Sequence, residues 1–263
     1  MPGDFLEKIA AEKYALLKRR AAYYENLKKN LTSRRQTRYG VFKKAVSRPE
    51  QLNLIAEIKK ASPSAGLLRE DFEVLNIARI YVEHKAAAIS VLTEEKYFLG
   101  KLAYLKRVGE EFHVPTLMKD FIVHEYQVYE GALYGACAVL LIAAMLSDAQ
   151  MKDLMDTAHA LGLDCLVEAH DEPEIGRALK AGAEIIGVNN RNLRSLETNV
   201  QNCLRLIPRI PSSKIIVAES GLKTREDMRR VREAGAHAVL IGETFMRAEN
   251  IGAKIEEVMN GQD

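Results

Sequence analysis

From Leu52 onward the chain repeats one rhythm: a short apolar, β-rich run, then a helical pattern. The candidate strands are Asn53–Lys59, Ala87–Thr93, Thr116–Lys119, Ala138–Ala143, Cys165–Ala169, Ile185–Asn189, Ile215–Glu219 and Ala238–Gly242, eight in all. The helices that follow them are Phe72–Lys85, Lys101–Glu111, Glu125–Leu133, Asp148–Leu161, Pro173–Ala181, Gln201–Ile207, Thr224–Ala234 and Phe245–Met259. Ser147-Asp148 and Thr224-x-x-Asp227 read as helix starts. Gly162, Gly182 and Gly235 fall just past helix ends. Ala181–Ala183 and Ala234–Ala236 are both Ala-Gly-Ala, and each turns a helix into the next strand. Strand–helix alternation repeated eight times is the pattern of a (β/α)8 barrel, the TIM barrel. An open doubly wound sheet is the alternative, but no G-x-G-x-x-G follows the first strand.

At 263 residues the length suits one such barrel and leaves no room for a second, so one activity is expected. Residues 1–48 precede the first strand and form an N-terminal helical extension. Within it, Asp4 to about Asn30 reads as one or two helices, with Phe5, Ile9, Leu16 and Leu17 at helical spacing. Arg34, Arg35 and Arg38 follow, ahead of a loop through Pro49, and read as a solvated face. The formal net charge of +2 gives no electrostatic footprint for nucleic acid. Cys137, Cys165 and Cys203 lie far apart without a C-x-x-C pair, which argues against disulfides and zinc and fits a reducing cytosol. Met1 to Arg20 mixes acids and bases, unlike a signal peptide. The longest apolar run, Ala136–Leu146, is roughly half a membrane span. A soluble cytoplasmic protein is expected, monomeric or at most a weak homodimer.

Asn53–Ser64 bears most directly on function. Side chains alternate along a strand, so Leu54, Ala56 and Ile58 share one face and Ile55, Glu57 and Lys59 the other. A carboxylate and an ammonium on a buried face cost desolvation energy unless paired or used. Barrel enzymes place their active sites at the C-terminal strand ends. There the chain carries Glu57 and Lys59, then Lys119-Asp120-Phe121, Glu168 with His170, Asn189-Asn190-Arg191, Glu219-Ser220-Gly221 and Gly242-Glu243. Each has a plain structural reading. Glu57 with Lys59 can be an ion pair, Glu168 can bridge Lys119 as a plug, Arg191 can brace its loop, and His170 reads as a loop residue. Two lysines, two glutamates and an asparagine from four different strands at one mouth exceed what structure alone asks. Gly221 and Gly242 end the last two strands just before helices, where backbone N–H groups can cradle a phosphate. Glu243 must then turn its side chain away from the anion. No G-x-x-x-x-G-K-[ST] and no H-E-x-x-H occur, so neither a nucleotide P-loop nor a metal site is expected.

The motif A-E-I-K-K-A-S-P-S at Ala56–Ser64 resembles the first-strand motif of the indole-3-glycerol phosphate synthases. So, in order, do Ser90–Glu94, Leu117–Phe121, Leu166–His170, Gly187–Leu193, Ala218–Gly221 and Ile241–Arg247. Phe5–Ile9 resembles the start of that family's extra N-terminal helix, so the resemblance covers essentially the whole chain. It implies ring closure of 1-(2-carboxyphenylamino)-1-deoxyribulose 5-phosphate to indole-3-glycerol phosphate, with loss of CO2 and water, in tryptophan biosynthesis. It implies no cofactor and no metal.

By the same resemblance, Lys119 is the general acid at the substrate carbonyl and Glu168 a general base or charge stabiliser. Lys59 holds the carboxylate or phosphate region and acts in dehydration, and Glu57 orients it or serves as its partner base. Asn189 and Ser220 meet substrate hydroxyls or order the site. Gly221, Gly242 and Glu243 bind phosphate through backbone, with Ser62 nearby, and Phe121 shapes the aromatic pocket; Arg191 joins this binding set. Ring closure needs an acid at the developing alkoxide, and a partly buried lysine with a lowered pKa is one way to supply it. Ala65 and Lys101 depart from the family pattern, in loops expected to govern closure and affinity. An aldolase-type lyase with a Schiff base on Lys119 and an inactive phosphate-binding barrel are the competing readings. Phosphoribosylanthranilate isomerase shares the phosphate site but should lack the long extension.

Overall fold

The computed structural model describes residues 5–32, 39–192 and 197–260. Asp4, the arginines Arg34, Arg35 and Arg38, and Leu193 lie outside the described residues. Helices α1 (Phe5–Arg19), α2 (Ala21–Thr32) and α3 (Val41–Val46) precede strand β1 (Asn53–Ile58). A small hairpin of β2 (Ala61–Ser62) and β3 (Gly66–Leu67) follows. Then come α4 (Val74–Glu83), β4 (Ala88–Leu92), α5 (Leu102–Phe112), β5 (Thr116–Lys119), α6 (Glu125–Leu133), β6 (Ala138–Ile142), α7 (Asp148–Ala160), β7 (Asp164–Ala169), α8 (Glu172–Ala181), β8 (Ile185–Asn189), α9 (Gln201–Leu206), β9 (Ile215–Glu219), α10 (Arg225–Ala234), β10 (Ala238–Ile241), α11 (Glu243–Met246) and α12 (Ile251–Ile255). The eight long strands pair in parallel, and β1 bonds to both β4 and β10, closing a barrel.

The strands are Val-, Ile- and Leu-rich on both faces because both faces are buried. Leu54, Ala56 and Ile58 pack outward with helix residues such as Ile77, Tyr81 and Phe245. Ile55 points inward among Leu117, Leu140, Leu166, Val217 and Leu240. The alternation read from β1 therefore holds, and Glu57 shares the inward face. The Tyr81 hydroxyl donates to the Glu57 carbonyl at 3.0 Å and pins the end of β1. Helix starts are capped as the residues dictate. Ser147 with Gln150 and Thr224 with Asp227 both form reciprocal capping boxes.

Two expected elements differ. The stretch before Pro49 is not all loop, since α3 lies there. Phe42 and Val46 are fully buried beneath the barrel interior, and buried Asp164 accepts the N–H groups of Gly40 and Lys43 at 3.1 and 2.9 Å, capping the helix start. The final helix, expected as Phe245–Met259, divides into α11, α12 and a π turn at Glu256–Asn260. Asn250 restarts it by accepting the Ala253 N–H at 3.0 Å.

The extension also covers the opposite end of the barrel. Leu6 and Ile9 of α1 are buried, Phe5 meets Phe121 edge-on at 6.2 Å, and Leu16 faces outward. Lys13 reaches buried Asp120 at 2.5 Å, while Asp120 also accepts the Thr93 hydroxyl and the Phe121 N–H, each at 2.7 Å. Lys13→Ala leaves that carboxylate short of one charged partner. We expect a loss of about 1–3 kcal/mol, read as a Tm lower by several degrees. An unchanged Tm would mean that the link contributes nothing.

Candidate active site

A cavity of about 750 Å³ opens at the C-terminal strand ends. All twelve residues singled out from sequence line it: Glu57, Lys59, Ser62, Lys119, Phe121, Glu168, Asn189, Arg191, Ser220, Gly221, Gly242 and Glu243. Ala65 and Lys101 are not among its lining residues; Lys101 is exposed at the start of α5.

Its floor is charged. Lys59 Nζ lies 2.7 Å from Glu57 Oε1. Across the barrel, Lys119 Nζ lies 3.6 Å from Glu168 Oε2 and 3.9 Å from Glu219 Oε2. Glu57 is 4% exposed, and Glu168 and Glu219 are each 1% exposed. Buried carboxylates at that density are costly unless neutralised. Burial pushes the Glu57 carboxyl up, but Lys59 and Lys119 together hold it below the ordinary carboxylate range. Glu219 goes the other way: burial, then the charge on Glu168, raise it well above that range, which favours its neutral form. Burial also works against the Lys119 ammonium, yet Glu168, Glu219 and Glu57 outweigh it and raise its pKa above the ordinary lysine value. The expected lowering of a lysine pKa is thus reversed at Lys119, because three carboxylates surround it.

Sequence reading placed Glu219 at the rim but gave it no role. The signal was present: Val217 points into the barrel, so Glu219 does too, at a strand end like Glu57 and Glu168. Gly187, paired in register with Glu168, makes the space. A Cβ there would stand 2.1 Å from Glu219 Oε1. Phe5 and Phe98 were also missed; with Phe121 they form an aromatic wall, Phe98 and Phe121 having centroids 5.9 Å apart.

The rim is tied by Arg191. Its guanidinium donates to Ser64 Oγ at 2.6 Å and to Glu243 Oε2 at 3.2 Å. Glu243 also pairs with Arg247 at 3.1 Å, so its side chain is held by two cations beside the Gly242 turn. Asn189 Oδ1 accepts the Arg191 N–H at 2.8 Å. Ser62 is buried with its hydroxyl unpartnered among the described residues. Ser220 and Gly221 both have positive φ, 65° and 71°, and a side chain at Gly221 would strike Thr198 at 2.4 Å. Gly242 is close-packed as well: an added Cβ would meet Glu57 Oε1 at 2.3 Å. Gly242→Ala should therefore push Glu57 off Lys59 and lower turnover by about 10²-fold, as misplacements near 1 Å do. Retained activity would show that the Glu57–Lys59 geometry is not needed.

Among the described residues no cluster of His, Cys, Asp or Glu is arranged to hold a metal ion, no helix is long and apolar enough to cross a membrane, and the three cysteines are buried and free.

Fold and mouth together define a (β/α)8-barrel enzyme with acid–base groups converging on a cavity of substrate size. Structural neighbours agree on the fold alone. 3-Hexulose-6-phosphate synthase from Salmonella typhimurium superposes with a TM-score of 0.64 at 12% identity, covering 79% of this chain and 96% of that one. Thiamine phosphate pyrophosphorylase from Pyrococcus furiosus gives 0.58 at 16%, covering 79% and 93%. Sequence comparison is narrower. The indole-3-glycerol phosphate synthase family model matches residues 6–258. The synthase of Acetivibrio thermocellus is 50% identical over 206 residues, 78% of this chain and 79% of that one. The synthase of Endomicrobium trichonymphae is 48% identical over 233 residues, covering 89% and 87%. The chain belongs to the indole-3-glycerol phosphate synthase family, carboxy-lyases of tryptophan biosynthesis.

Proposed function

We propose that this chain converts 1-(2-carboxyphenylamino)-1-deoxyribulose 5-phosphate to indole-3-glycerol phosphate, releasing CO2 and water. The observation that carries the reading is the pair of lysines on opposite sides of one cavity, each in ion-pair range of buried carboxylate. The aromatic carbon attacks the ketone, and negative charge develops on the carbonyl oxygen. Lys119 stays cationic through neutral pH and gives its proton there. Decarboxylation restores the ring. Dehydration then needs an acid for the departing hydroxyl and a base for a carbon-bound proton. Lys59, held by anionic Glu57, is the acid. Glu57 takes the carbon-bound proton as the partner base. Glu168 stabilises the charge at Lys119, and burial and Glu168 push Glu219 toward its neutral form, which limits the negative charge beside them.

The phosphate sits at the Ser220–Gly221 and Gly242–Glu243 turns, with Glu243 turned to Arg191 and Arg247. Ser62, Asn189, Arg191 and Ser220 hold polar substrate groups, and Phe121 with Phe98 flanks the aromatic ring. The substrate is a small phosphorylated molecule, and the reaction as written uses the protein's own acids and bases. Purified protein given the substrate should form indole product and CO2 in equal amounts; unequal release would separate decarboxylation from ring closure and break the scheme.

A further inference from the structure

Glu168 Oε1 and His170 Nε2 are both buried and both without a hydrogen-bond partner among the described residues, yet they lie 3.6 Å apart. On its other side the ring is fixed. His170 Nδ1 lies 3.2 Å from Glu174 Oε2, which also accepts the His170 backbone N–H at 2.8 Å. Burial pushes Glu174 up, but its contacts with His170 hold it below the ordinary carboxylate range, so it is an anionic acceptor and Nδ1 carries hydrogen. Nε2 therefore faces a carboxylate oxygen. Two bare acceptors in a buried contact repel, so one proton belongs between them. His170 does not line the cavity, whereas Glu168 does. The result is a continuous file: Lys119 Nζ to Glu168 Oε2 at 3.6 Å, Glu168 Oε1 to His170 Nε2 at 3.6 Å, and His170 Nδ1 to partly exposed Glu174 at 3.2 Å.

We infer that His170 is a positioning residue that holds a proton against Glu168 and, refilled from solvent at Glu174, recharges Lys119 after each turnover. The inference rests on the reaction proposed above. There the substrate carboxylate leaves as neutral CO2 and the former carbonyl oxygen leaves as water, having taken one proton from Lys119 and one from Lys59. The carbon-bound proton lost in dehydration goes to Glu57 and back to Lys59, so the one proton consumed per turnover is the one that Lys119 gave up. Lys119 N–H breaks as the alkoxide O–H forms. His170 Nε2–H then breaks as Glu168 O–H forms, and that carboxyl O–H breaks in turn to restore the Lys119 N–H. The neutral imidazole regains its proton from water through Glu174. Apo distances near 3.6 Å are the kind that tighten when substrate closes a site.

The groups facing the ring are Glu168 from β7, Glu174 from α8 and the Arg191 backbone from the segment after β8. Arg177 acts on Glu174. The Arg191 guanidinium is directed to Ser64 and Glu243. Burial lowers the His170 pKa, but the Glu174 contact and the charges on Glu168 and Glu174 raise it above the ordinary histidine value. Because Lys119 stays cationic well above that, an alkaline limb setting in above the ordinary histidine value reports His170.

The experiment has three readouts on the full chain. In substrate-free protein, nitrogen NMR should show a cationic His170 ring at neutral pH, with a lower titration midpoint in Glu174→Gln. In steady state, His170→Ala should lose about tenfold or more in kcat with KM little changed. Its alkaline limb should vanish, and added imidazole should restore turnover. His170→Gln keeps an N–H toward Glu168 but cannot relay, so it should fold normally and remain slow. With enzyme in excess, the first turnover of both variants should stay close to wild type, since Lys119 is already charged. A neutral ring at pH 7, profiles that superpose on wild type, or no rescue by imidazole would each overturn the relay. Failure of the proposed reaction is separate: it would appear as no indole product from folded wild-type protein, and the NMR titration needs no substrate.

Discussion

Lys119→Ala should lower turnover by about two orders of magnitude or more. The proposed step places developing negative charge on the carbonyl oxygen, and Lys119 is the cation within reach of Glu168 and Glu219 at 3.6 and 3.9 Å. Its raised pKa means that the proton is present throughout the neutral range, so the loss should not depend on pH there. A folded-state pKa above the unfolded one also links the charge to stability. That contribution is fully present below the ordinary lysine value and is lost only as pH rises through the raised one. Removing the cation leaves three buried carboxylates without it, which costs several kcal/mol unless they take up protons. A thermal melt must therefore accompany the rate. A folded variant at wild-type rate would show that Lys119 is not the acid.

Glu168→Gln should cost a comparable factor, about two orders of magnitude, for a different reason. Glutamine fills the same volume and can still accept from Lys119 through its carbonyl oxygen. It cannot take a proton or balance the lysine charge. The shape of the cavity is preserved, so KM should change less than kcat. The loss of the anion should also lower the Lys119 pKa, since Glu168 is the largest charge raising it. Near wild-type kcat in this variant would remove Glu168 from the mechanism and leave it as a barrel plug.

Most of this arrangement could be read before the fold was known, because period and position are written locally. The strands in sequence end within about one residue of the observed ones, since runs such as Ala138–Ile142 have no other way to bury both faces. Alternation from Leu54 to Lys59 put Glu57 inward without any structure. What could not be read depends on neighbours distant in sequence. Helix α3 exists because Asp164, more than a hundred residues later, accepts its first N–H groups. The break before α12 turns on Asn250 capping a new start. The sign of the Lys119 shift depends on how many carboxylates surround it, and Glu219, the one left without a role, helps to decide it. Room for Glu219 comes from Gly187 on the adjacent strand, which local reading would count only as a small residue in a β run.

The most direct measurement adds 1-(2-carboxyphenylamino)-1-deoxyribulose 5-phosphate to the purified protein and follows indole fluorescence. The chain contains no tryptophan, so little background competes with the signal. The account predicts a rise that tracks enzyme concentration, matches CO2 release and collapses in Lys119→Ala. No rise in folded wild-type protein would contradict it. So would borohydride capture of a ketose phosphate on Lys119, which would mark a Schiff-base lyase instead.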